Sequence, residues 1–424
     1  MRSRIIAVSI LMAFLLYLDR VCLGEIVKSD AFLADFPDAT KTDIGEVLGA
    51  FFLAYALFQV PAGWLSDRFG GRLMLCIYIA TWSLLTGYSG MASSLGGLLL
   101  ARFAFGAAQS GAYSTSSGVI RNWFHYRARA TASSYVSLGG RLGGTLAPLL
   151  TTTLILWFGG WRAVLFVYCG IGLAAAAAYW IVVRDKPANH PLVEDAERRA
   201  IDNAGDSAGV RDEPRALRDV TSLLAAILRS RALWLNSLAQ FCLVFGWVYL
   251  ITWLPTYLKE EKGVDDLTGS VMVSIVLGIA IPGQLIGGQL GNFAVTRFGP
   301  RWGRSLPLAA TCLVAGSAYA GCVVVDSVWL IVALCAMVSL STDIGNPTIW
   351  AFMQDIGGRN TASVFGWGNM WGNLGASAST VAVAHLMSIG GQTLVFLTCA
   401  SMYLVAALAA LGMNATEPVR RSCD

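Results

Sequence analysis

Long apolar runs fill most of this chain and constrain its fold more than any other feature of the sequence. About twelve runs each approach the roughly 20 residues that an α-helix needs to cross a bilayer. Only 13% of the residues are charged, about half the share found in a soluble domain. We therefore predict an all-α integral membrane protein. Its predicted spans cover residues 5–28, 44–66, 72–93, 96–119, 130–157, 162–184, 232–257, 267–293, 303–325, 328–352, 361–388 and 391–413.

A charged segment separates the spans into two groups of six. Residues 185–231 contain three prolines and an acidic and basic string that starts at Glu194. This composition is typical of a solvent-exposed linker, with room for a short surface helix. The sequence therefore predicts an N-terminal six-helix bundle over residues 1–184, a cytoplasmic linker over 185–231 and a C-terminal six-helix bundle over 232–424.

Basic residues in the short loops predict how the chain lies in the membrane. Arginines occupy alternate loops, among them Arg68, Arg121 and Arg297, whereas the loops between them carry few cations or balanced signs. Because cytoplasmic loops are enriched in Lys and Arg, both termini are predicted to be cytoplasmic. The expected location is the inner (cytoplasmic) cell membrane, which the chain crosses many times.

A short turn motif occurs once in each predicted half. The chain reads Asp67-Arg68-Phe69-Gly70-Gly71-Arg72 after span 2 and Thr296-Arg297-Phe298-Gly299-Pro300-Arg301 after span 8. The offset of 229 residues (297 − 68) indicates two parallel bundles related by an axis along the membrane normal. For Asp67, Arg68 and Arg72 two interpretations stay open. They form either a conformation-dependent latch that gates transport or a tight turn with the usual cytoplasmic charges.

Two opposite charges lie side by side inside the first predicted span, in Tyr17-Leu18-Asp19-Arg20. A charge at bilayer depth costs about 3 kcal/mol or more unless it faces protein or water. Adjacent helical residues point about 100° apart, so Asp19 and Arg20 need separate partners or separate tasks. A signal sequence can also end in charges, but here no small-residue cleavage site follows and many more apolar runs do.

Further intramembrane arginines lie on spans 4 and 5. Arg102 and Gln109 are seven residues apart on one helix face, which Tyr113 continues. The planar fork of an intramembrane Arg suits a carboxylate or phosphate. The alternative for Arg102 is a structural tie to Asp19, which does not exclude a role in coupling. Arg141, in a glycine-rich stretch, is either a third cationic point for a doubly charged substrate or a snorkelling or helix-paired residue.

Polar and aromatic side chains in other spans fit a sugar-like ligand, because amides exchange hydrogen bonds with hydroxyls and rings pack on the C–H face of a sugar. Packing or helix–helix hydrogen bonding is the competing interpretation for each of them. Asn369 and Asn373 are one turn apart on one face, which favours them as a pair. Asp343 is a second candidate titratable group. The polar set is Tyr55, Gln59, Gln240, Tyr249, Trp253, Asn346, Asn369 and Asn373.

Several motifs together resemble those of a known transporter family. Gly63-x-x-x-Asp67-Arg68-x-Gly70-Gly71-Arg72 matches the signature between spans 2 and 3 of the major facilitator superfamily. Three further stretches resemble its anion:cation symporter branch of sugar-acid and organic-anion carriers. They are Tyr17-x-Asp19-Arg20, Trp253-Leu254-Pro255-Thr256-Tyr257-Leu258 and Asn369-x-x-x-Asn373-Leu374-Gly375. The resemblance covers essentially the whole chain apart from the linker.

This resemblance implies a twelve-helix fold and secondary transport by alternating access. It implies that Arg20 and Arg102 engage the substrate anion or pair with acids near it, with Tyr17 in the same motif, and that Asp19 carries the coupled proton. Many proton-coupled members of the branch have a glutamate where this chain has Gln109, which keeps the hydrogen-bonding shape but cannot titrate. The implied function is proton-coupled uptake of a small organic anion such as a hexuronate or aldonate. The alternatives are a proton-independent uniporter or exchanger of dicarboxylate or phosphate, and a transport-dead membrane sensor.

Other functional classes have no support in the sequence. There is no G-x-x-x-x-G-K-[ST] motif for a nucleotide and no Ser/His/Asp constellation for an enzyme. The nine cysteines form no C-x-x-C and the three histidines are far apart, so we expect no metal and no cofactor. Basic residues lie in short loops, which gives no support for nucleic-acid binding. The expected partners are a small anionic substrate, protons and the lipid bilayer, and a monomer is sufficient.

Overall fold

The computed structural model of the protein describes residues 1–187 and 220–419, and most of these are helical. The predicted linker lies mostly outside the described residues, and α9 falls in its last part. A 3₁₀ turn, Gly358–Asn360, leads into α15. In chain order the helices are α1 (Arg2–Ile26), α2 (Asp30–Asp35), α3 (Lys41–Phe69), α4 (Gly71–Met91), α5 (Leu95–Ser110), α6 (Ala112–Trp123), α7 (Arg129–Phe158), α8 (Trp161–Val182), α9 (Val220–Arg229), α10 (Arg231–Thr252), α11 (Leu254–Glu260), α12 (Asp266–Gly278), α13 (Ala280–Gly321), α14 (Val328–Gly357) and α15 (Thr361–Gly412).

Short polar residues fix where several helices begin. At α3, Thr40 and Asp43 cap each other: the Thr40 hydroxyl accepts from the Asp43 backbone N–H, and the Asp43 carboxylate accepts from that of Thr40. At α12, Asp265 accepts a hydrogen bond from the backbone N–H of Thr268 at 3.0 Å, which lowers the pKa of this exposed carboxyl. Such caps satisfy N–H groups that the helix itself leaves without a partner. Serines cap α2, α5 and α10 in the same way: Ser29, Ser94 and Ser230.

The twelve predicted spans are recovered once the bends in the helices are counted. Seven helical stretches of the described residues are long and apolar enough to cross a membrane. Two of them contain more than one span, Leu267–Gly321 and Val328–Gly412, because α13 bends at Gly299 and α15 bends at Gly391. Helix α7, and the broken pair α5 and α6, complete the twelve.

The internal repeat is present in the backbone conformation as well as in the amino-acid sequence. Gly70 and Gly299, which are 229 residues apart (299 − 70), both have positive φ, at 96° and 75°. A second pair, Gly159 and Gly391, has φ values of 68° and 63°. Glycine adopts these conformations at little cost, whereas other residues rarely do. In each half, the chain therefore turns between helices at a glycine with positive φ, and these glycines lie at corresponding positions.

The chain divides into two compact units. Unit 1 comprises Met1–His125, Tyr135–Val220 and Arg359–Gly366, and unit 2 comprises Tyr126–Ser134, Thr221–Gly358 and Trp367–Asp424. The first turn of α7 thus belongs to unit 2 and the rest of α7 to unit 1, whereas the first turn of α15 belongs to unit 1 and the rest of α15 to unit 2. The predicted domain boundaries at 184/185 and 231/232 stay a prediction, because residues 188–219 are not described.

Glycines bring the helices of unit 1 into backbone contact. A Cβ added at Gly139 or Gly143 of α7 would lie 2.4 or 2.2 Å from a carbonyl oxygen of α1. The same holds for Gly106 of α5, where a Cβ would lie 2.4 Å from the Phe51 carbonyl oxygen of α3. Small residues permit this close approach in lipid, where packing rather than the hydrophobic effect holds helices together. Helix α7 is therefore packed closely on α1, and α5 is packed closely on α3.

Unit 2 contains a buried ion-pair network near one end of its helices. Asp355 on α14 pairs with Arg129 at 2.7 Å and with Arg304 at 2.8 Å, and all three side chains are at most 7% exposed. Arg304 also donates to the Tyr126 carbonyl oxygen at 2.7 Å. One carboxylate thus holds together α14, the long helix α13 and the first turn of α7.

Candidate functional site

Asp19 and Arg20 have different partners, as their spacing on α1 predicts. Asp19 is 2% exposed, and its Oδ2 accepts a hydrogen bond from the indole N–H of Trp82 on α4 at 3.1 Å. Arg20 turns the other way and donates from Nε to Oε1 of Gln109 at 3.4 Å. The two charged side chains therefore face different helices, Asp19 facing α4 and Arg20 facing α5.

Aromatic rings surround the guanidinium of Arg20. Its Cζ lies 4.8 Å from the ring centroid of Tyr17, 4.9 Å from that of Phe51 and 4.6 Å from that of Tyr55. Each such cation–π contact contributes about 0.5–2 kcal/mol. The rings hold the guanidinium without neutralising it, and its buried Nη2 has no hydrogen-bond partner among the described residues. A cation held in this way is suited to an anionic ligand.

Arg102 contacts the same Phe51 ring as Arg20. Its Cζ is 5.2 Å from the Phe51 centroid and 4.8 Å from that of Phe105, and Nη2 donates to the Arg20 carbonyl oxygen at 3.3 Å. The side chain is 5% exposed. Two guanidinium groups thus share one aromatic ring, an arrangement that like-charge repulsion disfavours and that an anion would stabilise.

Gln109 shows why an amide fits at this position of α5. It accepts from Arg20, while its own Nε2 donates to the Leu16 carbonyl oxygen of α1 at 3.0 Å. An amide has both a donor and an acceptor, whereas an ionised glutamate has acceptors only. Arg102 and Gln109 reach α1 carbonyls one turn apart, so they share a helix face as their seven-residue spacing predicts.

Asp19 and Arg102 line a common cavity but form no direct ion pair among the described residues. The cavity measures about 10 Å³, and its walls also include Thr86 and Ser89 of α4. Arg102 donates a hydrogen bond to the Arg20 carbonyl oxygen of α1 and not to the carboxylate. The structural tie considered for these two residues is therefore not a direct contact in this structure.

The remaining candidates of unit 1 extend this cluster. Tyr17 and Tyr113 pack edge to face with centroids 6.3 Å apart, and both rings lie against Gly140 of α7. Arg141, the next residue, is half-buried and close enough to Tyr113 to interact with it electrostatically. The structure thus brings Tyr17, Arg20, Tyr55, Arg102 and Gln109 together, with Arg141 beyond Tyr113.

The candidates of unit 2 have partners of their own. Tyr249 is buried in an aromatic cluster with Tyr319 and Phe396, and its hydroxyl accepts a hydrogen bond from Gln392. Trp253 is half-buried where α10 ends and α11 begins. Asn373 donates to the Asn369 carbonyl oxygen one turn earlier at 2.8 Å, and both residues are half-buried.

Two polar contacts inside unit 2 were not expected from the sequence. Asp343 is 1% exposed and accepts a hydrogen bond from Gln284 at 2.5 Å. Gln240 donates weakly to the sulfur of Met353 at 3.4 Å, and the same amide lies against Gly368 of α15. Amides in membrane spans often hold neighbouring helices together in this manner.

In the turn motif of unit 1, Asp67 caps the N-terminus of α15. Asp67 accepts from the backbone N–H of Ala362 at 3.0 Å and from that of Ser363 at 2.8 Å, which are in the first turn of α15. Arg72 stacks on Trp180 at 3.7 Å and donates twice to its carbonyl oxygen. Arg68 is exposed and lies over the rings of Trp64 and Phe69. The carboxylate thus caps a helix N-terminus, where negative charge is favoured.

Sequence analysis missed two residues that define the cluster. Phe51 contacts both arginines, yet nothing distinguishes it from the other aromatic residues of α3. Trp82 carries a weak signal, because a buried indole N–H in a span needs a hydrogen-bond acceptor. Asp19 is a suitable acceptor on a neighbouring span, but the sequence does not show which tryptophan reaches it.

Comparison with known proteins identifies the family. The profile described as Major Facilitator Superfamily matches residues 9–380. The chain belongs to the Major Facilitator Superfamily. It is 28% identical over 422 residues to the protein named "Probable sulfoacetate transporter SauU" of Cupriavidus necator, covering 97% of this chain and 94% of that one. It is 25% identical over 394 residues to "Probable galactarate/D-glucarate transporter GudP" of Bacillus subtilis, covering 89% and 83%.

A solved structure gives the same fold. The superfamily transporter FucP, in its outward conformation, superposes with a TM-score of 0.74 at 15% identity and covers 96% of this chain and 98% of its own. The predicted fold class, all-α with about twelve transmembrane helices in two six-helix bundles, is confirmed. The chain is a multi-pass membrane transporter and not an enzyme, and its relatives include carriers named for organic anions and sugar acids.

Proposed function

We propose that this protein takes up a small organic anion together with protons, and that the cluster on α1, α3 and α5 holds the anion. One observation carries the proposal. Two guanidinium groups, the half-buried Arg20 and the buried Arg102, contact the Phe51 ring, and Nη2 of Arg20 has no hydrogen-bond partner among the described residues. Planar guanidinium forks match the oxygens of a carboxylate or sulfonate. Tyr17 and Tyr55 place their rings around the first of them.

The charge of the cluster indicates the role of Asp19. With Asp19 ionised, Asp19, Arg20 and Arg102 sum to a charge of about +1, and a proton on Asp19 raises this to about +2. Because the protonated cluster is the more positive of the two, it attracts an anion with one or two charges more strongly than the ionised cluster does. Binding of the proton therefore favours binding of the anion, and the reverse follows by linkage. Asp19 is the coupling group in this proposal.

The names of two relatives and the number of cations near the cluster support the proposed substrate class. Sulfoacetate and galactarate, named for two relatives, are both doubly charged and carry their charges at separate ends. Arg20 and Arg102 suit one end, and Arg141 is a candidate for the other. In unit 2, Tyr249, Trp253, Asn369 and Asn373 stay candidates for contacts with substrate hydroxyls. The preferred cargo is a sugar acid such as a hexuronate, an aldonate or an aldarate.

Gln109 supports an alternative mode of transport. An amide at this place removes one titratable group, so a uniporter or an exchanger of a dicarboxylate or phosphate is the second candidate. The orientation in the proposal has both termini cytoplasmic in the inner membrane, because arginines fill alternate loops. Asp67, Arg68 and Arg72 then gate the cytoplasmic side.

Uptake into proteoliposomes tests the proposal. Labelled glucuronate, gluconate, galactarate and sulfoacetate are presented with and without an inward proton gradient, and with an uncoupler as the control. Accumulation that the uncoupler abolishes supports proton symport. Gradient-independent equilibration indicates the uniporter or exchanger, and uptake of succinate or phosphate alone rejects a sugar acid. A purified protein that binds these anions but moves none of them is a sensor.

A further inference from the structure

A row of polar side chains follows one face of α4 toward Asp19. Trp82, Thr86 and Ser89 are four and then three residues apart, which places them on one helix face. They are at most 4% exposed. Because the indole N–H of Trp82 donates to Asp19, this face of α4 is the one turned toward the carboxylate.

The row borders the small cavity beside Asp19. Thr86 and Ser89 line this cavity together with Asp19 and Arg102. Its 10 Å³ is on the order of the space that one water molecule needs. Oδ1 of Asp19 and Nε of Arg102 are buried and have no hydrogen-bond partner within the described part of the chain. The cavity therefore offers an acceptor, a donor and two hydroxyls, enough to satisfy a single bound water.

The two hydroxyls are able to pass a proton. Thr86 donates from Oγ1 to the Trp82 carbonyl oxygen at 3.0 Å, and Ser89 donates from Oγ to that of Leu85 at 2.8 Å. Each hydroxyl oxygen keeps lone pairs that accept a further hydrogen bond, and each hydrogen can rotate to another acceptor. Neither hydroxyl is used by the anion-binding cluster.

The row leads from Asp19 to the end of α4. Ser89 is in its last turn, and the carbonyl oxygens of Gly90 and Ala92 just beyond accept from Nη1 of Arg162 at 2.9 and 2.8 Å. Arg162 pairs with Asp35 at 3.2 Å, and the Asp35 side chain is 42% exposed. An exposed carboxylate is thus held, through Arg162, beside the end of α4 at which the polar row finishes.

We infer that this row is the route by which a proton reaches Asp19, with one water in the cavity as the last relay. The inference rests on the proposed proton symport. A hydronium ion at the surface gives up one proton. Each hydroxyl or water on the route accepts one proton and releases one, so the relays are unchanged overall. The net result is one new O–H bond at Oδ1 of Asp19 and one neutral water at the surface.

The proton and the anion then reach adjacent residues of α1, Asp19 and Arg20, which face different helices. Asp19 faces α4 through Trp82, whereas Arg20, the next residue, faces Phe51, Tyr55 and Gln109. Successive helical residues point about 100° apart, which gives this separation. The titratable or charged groups near Asp19 are Cys22 and Arg20 on α1, Arg102 on α5, and Tyr168 and Cys169 on α8. Within the helix α4 the only charged residue is Arg72, at its far end.

Hydroxyl removal on α4 tests the route. Thr86→Val combined with Ser89→Ala removes both relays with little change in volume. Ser83→Ala is the matched control, because Ser83 also donates to its own helix but lies against Gly172 of α8. Gradient-driven uptake by the double variant is expected to fall by at least about tenfold, since proton delivery becomes slow. Exchange of labelled for unlabelled substrate at equal pH is expected to stay close to that of the Ser83→Ala protein.

The outcomes separate this inference from the proposed function. Thr86→Ser keeps a hydroxyl and is expected to retain uptake. If the double variant is unstable, Thr86→Ser is compared with Thr86→Val alone, and uptake is expected to be lower in the valine variant. Uptake by the double variant equal to that of the Ser83→Ala control overturns the route. Equal loss of uptake and exchange also overturns it, because the hydroxyls would then be structural. If the unmodified protein ignores the proton gradient, the proposed symport fails instead.

Discussion

At the scale of single residues, the chemistry of the cluster depends on which atoms remain available. Arg20 is held by three aromatic rings and one amide, and Arg102 by two rings and one carbonyl oxygen. Neither is neutralised by a directly paired carboxylate among the described residues. Buried cations without such a pair are costly in a membrane. This cost is lowered when an anion binds, which is why we place the substrate there.

Replacing Arg102 by Lys is expected to weaken anion binding although the charge is kept. Lysine has no planar fork, so it cannot make the two parallel hydrogen bonds to a carboxylate that a guanidinium makes. We expect the dissociation constant to rise by about tenfold, corresponding to about 1.4 kcal/mol. Calorimetry on the purified protein measures this, with Arg4→Lys at an exposed position as the control. Equal affinity in the two variants would make Arg102 a structural residue.

Replacing Gln109 by Glu is expected to make uptake more strongly dependent on pH. The ionised glutamate would pair with Arg20 but would face the Leu16 carbonyl oxygen without a donor. Protonation restores that donor, so substrate and a second proton become linked. Uptake rates measured across a pH series report the slope. A profile that matches the unmodified protein places Gln109 outside the proton pathway.

The sequence identifies the charged members of this cluster and neighbours such as Tyr17, Tyr55 and Gln109, but not Phe51 or Trp82. Asp19, Arg20 and Arg102 stand out because charges are rare in spans. Phe51 and Trp82 do not, because aromatic residues are common in spans and helix rotation decides which of them face inward. The absence of a direct Asp19–Arg102 pair is equally a matter of side-chain geometry, which spacing along the chain does not determine.

At the scale of helices, glycines set both the turns and the close contacts. The turn motif of each half ends in a glycine with positive φ, Gly70 in unit 1 and Gly299 in unit 2. Elsewhere, glycines of α7 let its backbone meet that of α1, and Gly106 of α5 lets its backbone meet that of α3. The sequence predicts the turns from the repeated turn motif, and it predicts the close helix packing from the large number of glycines. It does not predict where single spans break, as at Gly111 between α5 and α6.

Replacing Gly299 by Ala is expected to destabilise unit 2. Its φ of 75° and ψ of 174° lie in a region that is essentially restricted to glycine, and a Cβ there costs about 1–3 kcal/mol. Gly278→Ala is the control, because this helical glycine has open space around its Cβ position. Thermal unfolding in detergent is expected to show a lower melting temperature for the first variant only. Equal melting temperatures contradict the strained turn.

Replacing Asp355 by Asn is expected to destabilise the protein strongly. The change leaves Arg129 and Arg304 buried without their shared counter-charge, which costs about 3–5 kcal/mol. Asp326→Asn removes an exposed carboxylate of the same unit and is the control. The melting temperature of the Asp355 variant should fall well below that of the control. A similar value for both would show that the network contributes little.

At the scale of the whole molecule, the fold is largely readable from the sequence. Spans follow from hydropathy and length because every backbone polar group in lipid must be bonded within a helix. The two halves follow from the repeated turn at an offset of 229 residues. The ion pairs of Asp355 were not predicted, since Arg129 is 226 residues away in the chain and only the folded structure brings them together.

The coupling of transport to protons is the central claim, and Asp19→Asn tests it most directly. The protein and this variant are reconstituted side by side, and labelled substrate is followed under an inward proton gradient and, separately, in exchange at equal pH. Asparagine keeps the size of the side chain and an acceptor for Trp82 but cannot carry a proton. We predict that accumulation is lost in the variant while exchange persists. Accumulation equal to that of the unmodified protein would contradict the assignment of Asp19 as the coupling group.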